Sequence, residues 1–418
     1  MPAPRLETAL RFLPALIVLA IGVLTPASSL YPDQGDVGLY LEKARSLAGG
    51  GVPYRDFAFE YPPLGLLPMV MPYLVWPFGE VTLDAYKNLF AAWEALELAV
   101  LGVLLARIAG RTGTASGLWW RLTALTAGAC LALTWRYDLY PAVLASAAVW
   151  AVLEGRAGAA GFAIGLGVLA KLYPIAIVPA LAAGWLSRAD RSRVVRLGLS
   201  VVVAVAVVML PLAILAGRDA FAFIGYQVAR PLQIESIGGG LTVLAGLVQG
   251  RPAEMSFDYS AVNVQGPLPR AILAALPIIT AAAFGGLAWI GWRRVRLERS
   301  VLGAVLPATI VALATASILV LLVTSKVFSI QYVVWLVPFA ALLTGRRFWL
   351  AAAVVALTIP IHPLLYGDLV KQDALPILVL NLRNLLVVAL TAWVVRDLAT
   401  REVARPAGLE PTTFRSAT

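Results

Sequence analysis

The chain has 418 residues, of which 60% are hydrophobic and 13% charged, with a net charge of +10. A soluble domain carries about 25% charged residues, so this composition excludes an ordinary water-soluble fold. The single cysteine, Cys130, excludes an internal disulfide, and the arginine excess suits membrane-flanking loops better than a nucleic-acid partner.

Apolar runs of roughly 18 residues or more recur from end to end, each long enough to cross a ~30 Å hydrocarbon core. The expected fold class is therefore an all-α polytopic membrane protein. The first run, 9–30, follows Arg5 and Arg11 and is read as an uncleaved anchor, although Ala27 and Ser29 also fit a signal-peptide cleavage site. A polar stretch, 31–64, interrupts the pattern and holds Asp33, Asp36 and Glu60. Within it, Leu39, Tyr40, Ala44 and Leu47 fall near one face of 38–48, which predicts a helix lying on the membrane surface. The apolar segment 62–78 contains Pro62, Pro63, Pro68, Pro72 and Pro77. It is expected not to cross, because each internal proline frees a backbone carbonyl that lipid cannot satisfy.

Further spans are expected at 85–107, 118–135, 139–154, 159–171, 172–186, 194–216, 268–292, 301–324, 328–344, 347–366 and 375–396. With the first they make about 12 (10–13) helices, the short pair 159–171 and 172–186 being one bent helix or a tilted pair. This layout places the arginines near 107–121, 156, 188–196, 293–299, 346–347 and 396–401 on one side, which the positive-inside bias makes cytoplasmic. Asp33, Asp36, Glu60, Asp138, Lys171, Arg230, Glu235, Lys326 and His362 then share the external side of the cytoplasmic membrane, and chemistry is expected there. The large external loop 217–267 contains Gly238–Gly240, read as a flexible turn before an interfacial helix, since the strand and Lys-Ser/Thr context of a phosphate loop is missing. Residues 1–404 are expected to form one membrane domain, with 405–418 an unstructured cytoplasmic tail. No inverted repeat is visible, which counts against a repeat-built transporter.

Several side chains stand out. Asp36 is either a catalytic base or a cap for the helix that follows it. Lys171 ends an apolar run and either snorkels or binds phosphate. Arg383 lies well inside the final run, where an unpaired charge costs several kcal/mol, so it should meet a phosphate or a carboxylate such as Glu94 or Glu97. Those two glutamates, one helical turn apart, are expected to pair with Arg383 or Arg136. Asp138 is expected to pair locally with Arg136 or to contact an acceptor. His362, the only histidine, is a hydrogen-bonded bystander or a site residue. Asp33 and Asp36 lack a further ligand cluster, so no metal is expected.

Five segments carry a family resemblance. They are Asp36-x-x-x-Tyr40 with Gly51-x-Pro53-Tyr54 and Tyr61-Pro62-Pro63-Leu64; Arg136-Tyr137-Asp138-Leu139-Tyr140-Pro141; Ala170-Lys171-Leu172-Tyr173-Pro174 with Pro179; Ser329-Ile330-Gln331-Tyr332 with Trp335 and Pro338; and Leu382-Arg383-Asn384. Their order and spacing resemble glycosyltransferase family 87 of the GT-C superfamily, with Ile330 standing where proline is expected. The resemblance implies a GT-C-like bundle and a polyprenyl-phosphate sugar donor, usually mannose. It further implies a lipid-linked or cell-envelope acceptor, with no cofactor and no metal.

Lipid phosphate is already a good leaving group, so single displacement asks for one base, assigned to Asp36, and for cations on the departing phosphate, assigned to Lys171 and Arg383. Further substrate contacts are expected among Asp33, Tyr40, Glu60, Asp138, Arg230, Glu235, Gln331, Tyr332 and His362. The alternative from another class is a transporter or flippase of lipids or lipid-linked sugars, which should line a path through both membrane faces with polar groups.

Overall fold

The computed structural model describes residues 10–26, 36–185 and 190–400. Asp33, the ends of the first apolar run and the tail 405–418 lie outside the described residues. The fold is almost entirely helical, with one short antiparallel hairpin, β1 (Met255–Asp258) and β2 (Ala261–Val264), inside the 217–267 loop.

In chain order the first helices are α1 (Leu13–Leu24), α2 (Val37–Ala48), α3 (Leu67–Leu74, led by a 3-10 turn Pro63–Leu66), α4 (Leu83–Thr112), α5 (Leu118–Gly128) and α6 (Cys130–Trp135). There follow α7 (Leu139–Leu153), α8 (Ala157–Ala170), α9 (Val178–Ala183, after a 3-10 turn Tyr173–Ile177), α10 (Arg191–Ala216), α11 (Ala222–Ala229) and α12 (Ile237–Gln249). After the hairpin come α13 (Pro267–Leu302), α14 (Pro307–Thr324), α15 (Tyr332–Ala340), α16 (Arg346–Ala356), α17 (Tyr366–Val370) and α18 (Ala374–Thr400).

Among the described residues, six stretches are long and apolar enough to cross a membrane: Leu83–Thr112, Arg191–Ala229, Pro267–Leu302, Pro307–Thr324, Arg346–Leu364 and Ala374–Thr400. The other expected spans correspond to shorter or broken helices. The run 118–135 is interrupted at Ala129, and 328–344 is helical only from Tyr332 to Ala340. The pair 159–171 and 172–186 separates at Lys171 into α8 and a proline-led 3-10 turn. Continuous hydropathy does not register such breaks, because the residues on both sides remain apolar.

The main core is built by α4, α5, α7, α8, α9, α14, α15, α16 and α18. The closest helix packing is between α8 and α10, and its sequence cause is Gly161 with Gly165 four residues on. A Cβ on Gly165 would lie 2.6 Å from Ala204 Cβ, and one on Gly161 would lie 2.9 Å from Ser200 Cβ. Small residues at this spacing let two backbones approach where lipid supplies no hydrophobic drive between helices.

Three smaller apolar clusters sit at one end of this core. One joins α2, α3 and the start of α4; another joins the 232–234 loop, α12, β2 and the start of α18; the third joins the ends of α8 and α10. Helix α2 buries Val37, Tyr40, Leu41 and Ala44 against the body of the protein, so its apolar face is already occupied by protein rather than left for a membrane surface. Gly238–Gly240 form the first turn of α12, capped by Ser236 Oγ accepting from Gly239 N at 2.9 Å, not a flexible turn. Glycine is needed at 239, where a Cβ would come within 2.0 Å of the Gln233 carbonyl oxygen.

Candidate active site

A cavity with an empty volume of about 1020 Å³, its open mouth included, lies where the three small clusters converge. Its wall includes Asp36, Glu60, Arg136, Lys171, Arg230, Gln233, Glu235, Gln331, Tyr332, Trp335 and His362, drawn from segments spread across the chain.

Local backbone breaks place the charged groups. Arg136 ends α6 in an extended conformation (φ −135°, ψ 136°), and Lys171 ends α8 in another (φ −160°, ψ 140°). Each is followed three or five residues later by a proline, Pro174 or Pro141, in the first turn of the next helix, where a missing N–H is harmless. A charged side chain at a one-residue break leaves the helix surface and reaches the cavity.

Asp36 occupies the N-cap position of α2, yet its side chain makes no capping hydrogen bond. Its carboxylate instead forms an ion pair with Arg136. The capping reading is therefore not what this side chain does. Asp138 does not pair with its neighbour Arg136. Its Oδ1 accepts from Lys171 Nζ at 2.7 Å and from Trp335 Nε1 at 2.6 Å, and the residue is 1% exposed. The swap follows from the extended backbone at Arg136, which turns that side chain toward Asp36 while Asp138, at the start of α7, meets Lys171 and Trp335. Lys171 also lies within 4.8 to 5.9 Å of the ring centroids of Tyr61, Tyr137, Tyr332 and Trp335. It is buried rather than snorkelling. Trp335 stacks between Tyr173 and Tyr332, at 4.3 and 3.8 Å between centroids, giving the cavity a rigid aromatic wall.

The segment 230–236 forms the opposite wall and is pinned at nearly every residue. Gln233 donates from Nε2 to Glu235 Oε2 and to Ser329 Oγ, each at 2.7 Å, while its Oε1 accepts from Phe328 N at 2.9 Å. Ile234 N donates to Val262 O, and Val264 N to Leu232 O. Arg383 lies behind this wall, not on it. It donates from Nη2 to the Glu235 carbonyl at 2.8 Å and its guanidinium sits 3.9 Å from the Phe328 ring. Arg383 therefore does not meet Glu94 or Glu97. Helix α18 packs on α12, α14 and α16, whereas α4, which carries the glutamates, packs on α1 and α7. Glu97 accepts from Trp93 Nε1 at 2.7 Å, and neither oxygen of Glu94 has a hydrogen-bond partner among the described residues.

Burial pushes Glu235 up to about 7, against the opposing pull of Arg383, Arg136 and Arg230. Glu60 is also raised, by burial and then by the Asp36 charge. Tyr40 does not line the cavity; it packs beneath it, edge-on to Tyr137 at 5.8 Å. His362 lines the wall against Tyr366. Sequence reasoning missed Gln233, the group that ties Glu235 to the 328–329 segment. It also did not assign Arg136 to the site, although the Arg-Tyr-Asp spacing marked the segment.

The arrangement offers two half-buried carboxylates, Asp36 beside Arg136 and Glu60, two further cations, and the buried acid Glu235, all in a partly enclosed cavity. Fold and site thus define a helical multi-pass membrane protein with one polar chamber near one end of the bundle. Residues 59–238 match the model of glycosyltransferase family 87. The matched region contains Glu60, Arg136, Asp138, Lys171, Arg230 and Glu235, while Asp36 precedes it. No curated protein matches the chain.

Proposed function

We propose that this chain is a membrane glycosyltransferase that moves a hexosyl group, mannosyl by family resemblance, from a polyprenyl-phosphate donor to a lipid-linked or cell-envelope acceptor at the external face of the cytoplasmic membrane. The observation that carries this reading is the Asp36–Arg136 pair on the wall of a chamber that also presents Arg230 and Lys171.

In a single displacement the acceptor oxygen attacks the anomeric carbon as its proton passes to the Asp36 carboxylate. The bond from that carbon to the phosphate oxygen breaks, and its electron pair leaves with the lipid phosphate. Arg136 and Arg230 line the chamber and suit a bidentate grip on that phosphate. Lys171 contributes charge from its place between Asp138 and the aromatic rings. Arg383, which contacts the Glu235 carbonyl, acts by positioning the 230–236 wall. The external location rests on the arginine asymmetry.

The test incubates the purified full chain with candidate polyprenyl-phosphate sugars and envelope lipids, following release of polyprenyl phosphate. A positioned base contributes about 10²–10⁴-fold, so Asp36→Asn is expected to lose that factor while the protein still inserts. Full transfer by the variant removes Asp36 as the base. No release by the wild type, with reconstituted vesicles moving a labelled lipid, replaces the enzyme with a transporter.

A further inference from the structure

A second polar feature lies far from the chamber. Helix α13 begins beside the hairpin at the chamber and runs for 36 residues, about 54 Å at 1.5 Å per residue. Along α18, Leu398 lies 15 residues beyond Arg383, about 22 Å further from the chamber wall. Between the far parts of these two helices is a groove of about 1010 Å³, lined by Trp292, Arg293, Arg294, Arg296, Leu297 and Leu398 among others.

Among the described residues, no acidic side chain lines the groove. The nearest on α13, Glu298, is fully buried and already accepts from Arg294 Nε at 2.7 Å, from Leu306 N at 2.9 Å and from Thr309 Oγ1. Arg294 is thereby balanced, while Arg293 and Arg296 are exposed. Arg296 is held over the Trp292 ring at 4.7 Å, which fixes its position at little entropic cost. Trp292 also lines a neighbouring cleft of about 700 Å³ formed by apolar residues of α9, α13 and α14, including Ala180, Leu287 and Leu313.

We infer that this groove is a binding site for an anionic glycerophospholipid, its phosphate on Arg293 and Arg296 and an acyl chain in the apolar cleft on the other side of Trp292. A basic groove joined to an apolar cleft by an interfacial tryptophan matches a molecule that carries both parts. A free phosphate has no use for the cleft, and a neutral lipid has none for the arginines. The site is separate from the chamber and would tie the protein to leaflets rich in anionic lipid.

The test places the full chain in nanodiscs of phosphatidylcholine doped with phosphatidylglycerol and counts retained lipids by native mass spectrometry. The wild type is expected to retain phosphatidylglycerol selectively. In R293Q/R296Q the retained fraction should fall on the order of tenfold, whereas R191Q/R193Q, outside the groove, should keep it. Ala288→Phe, which fills the cleft, should also lower retention. Equal retention by wild type and R293Q/R296Q overturns the site, as does equal retention of phosphatidylcholine. Displacement by millimolar inorganic phosphate, or unchanged retention in Ala288→Phe, overturns its assignment to a lipid.

Discussion

At the chamber end, charges of both signs come from distant segments and are held in buried or half-buried contacts: Asp36 with Arg136, Asp138 with Lys171, Glu235 with Gln233. At the opposite end, Arg293 and Arg296 stand exposed, and the Arg347–Asp397 pair keeps about a fifth of each side chain accessible. The difference is one of cost. Desolvating a charge pair costs several kcal/mol per ion before attraction returns any of it, whereas an exposed arginine at a membrane end costs little. The far end also carries one such pair, Arg294 with the fully buried Glu298, but that pair ties α13 to the start of α14, whereas the pairs at the chamber end border a cavity.

The largest effect on stability should therefore come from the Lys171–Asp138 pair. Lys171→Met strands a carboxylate that is 1% exposed, and removing one member of such a pair costs about 3–5 kcal/mol. Asp138→Asn should be milder, because an amide oxygen can still accept from Trp335. Unfolding of the detergent-solubilised protein would measure both. The double variant K171M/D138L should recover part of the loss, and a cycle showing strict additivity would break the contrast between the ends.

Glu235 gives a second, pH-dependent handle. Its folded pKa is raised from 4.5 to about 7, so the folded state holds this proton more tightly than the unfolded chain. That contribution is complete below about pH 4.5 and disappears as pH rises through about 7. A shift of this size is worth on the order of 3 kcal/mol. The wild type should lose stability relative to Glu235→Gln across this window, measured as the difference in melting temperature at each pH. A difference that stays flat with pH would show that the segment 230–236 does not bury this acid as tightly as its hydrogen bonds imply.

How much of this was legible beforehand follows from what each signal reports. Hydropathy and proline placement made the chain a helical membrane protein and set 62–78 apart, and indeed only a short helix, Pro63–Leu74, forms there. The motif segments pointed to the residues that meet in the chamber, because Asp36, Lys171 and Tyr332 each sit at a break in the apolar pattern. Partners were not legible. Sequence adjacency suggested Arg136 with Asp138, but a single extended residue sends their side chains apart. Arg383 was expected to meet a phosphate or a carboxylate; its protein contacts are instead a backbone carbonyl and a phenyl face, neither of which has any composition signal. Gln233 was passed over because an uncharged residue in a loop announces nothing until its three partners are seen.

The smallest expected effect makes the sharpest control. Arg347 on α16 and Asp397 on α18 are 2.7 Å apart with side chains 21% and 22% exposed, so solvent and ions reach the pair. Coupling for pairs of this kind is about 0–1 kcal/mol, and it should weaken further as salt shortens the screening length to roughly 3 Å at 1 M. The Lys171–Asp138 coupling, shielded by four aromatic rings, should hardly respond to the same salt. Parallel double-mutant cycles on both pairs, at low and high ionic strength, test the two ends with one measurement. If Arg347–Asp397 proved as strong and as salt-insensitive as Lys171–Asp138, burial would no longer explain the difference between these two pairs.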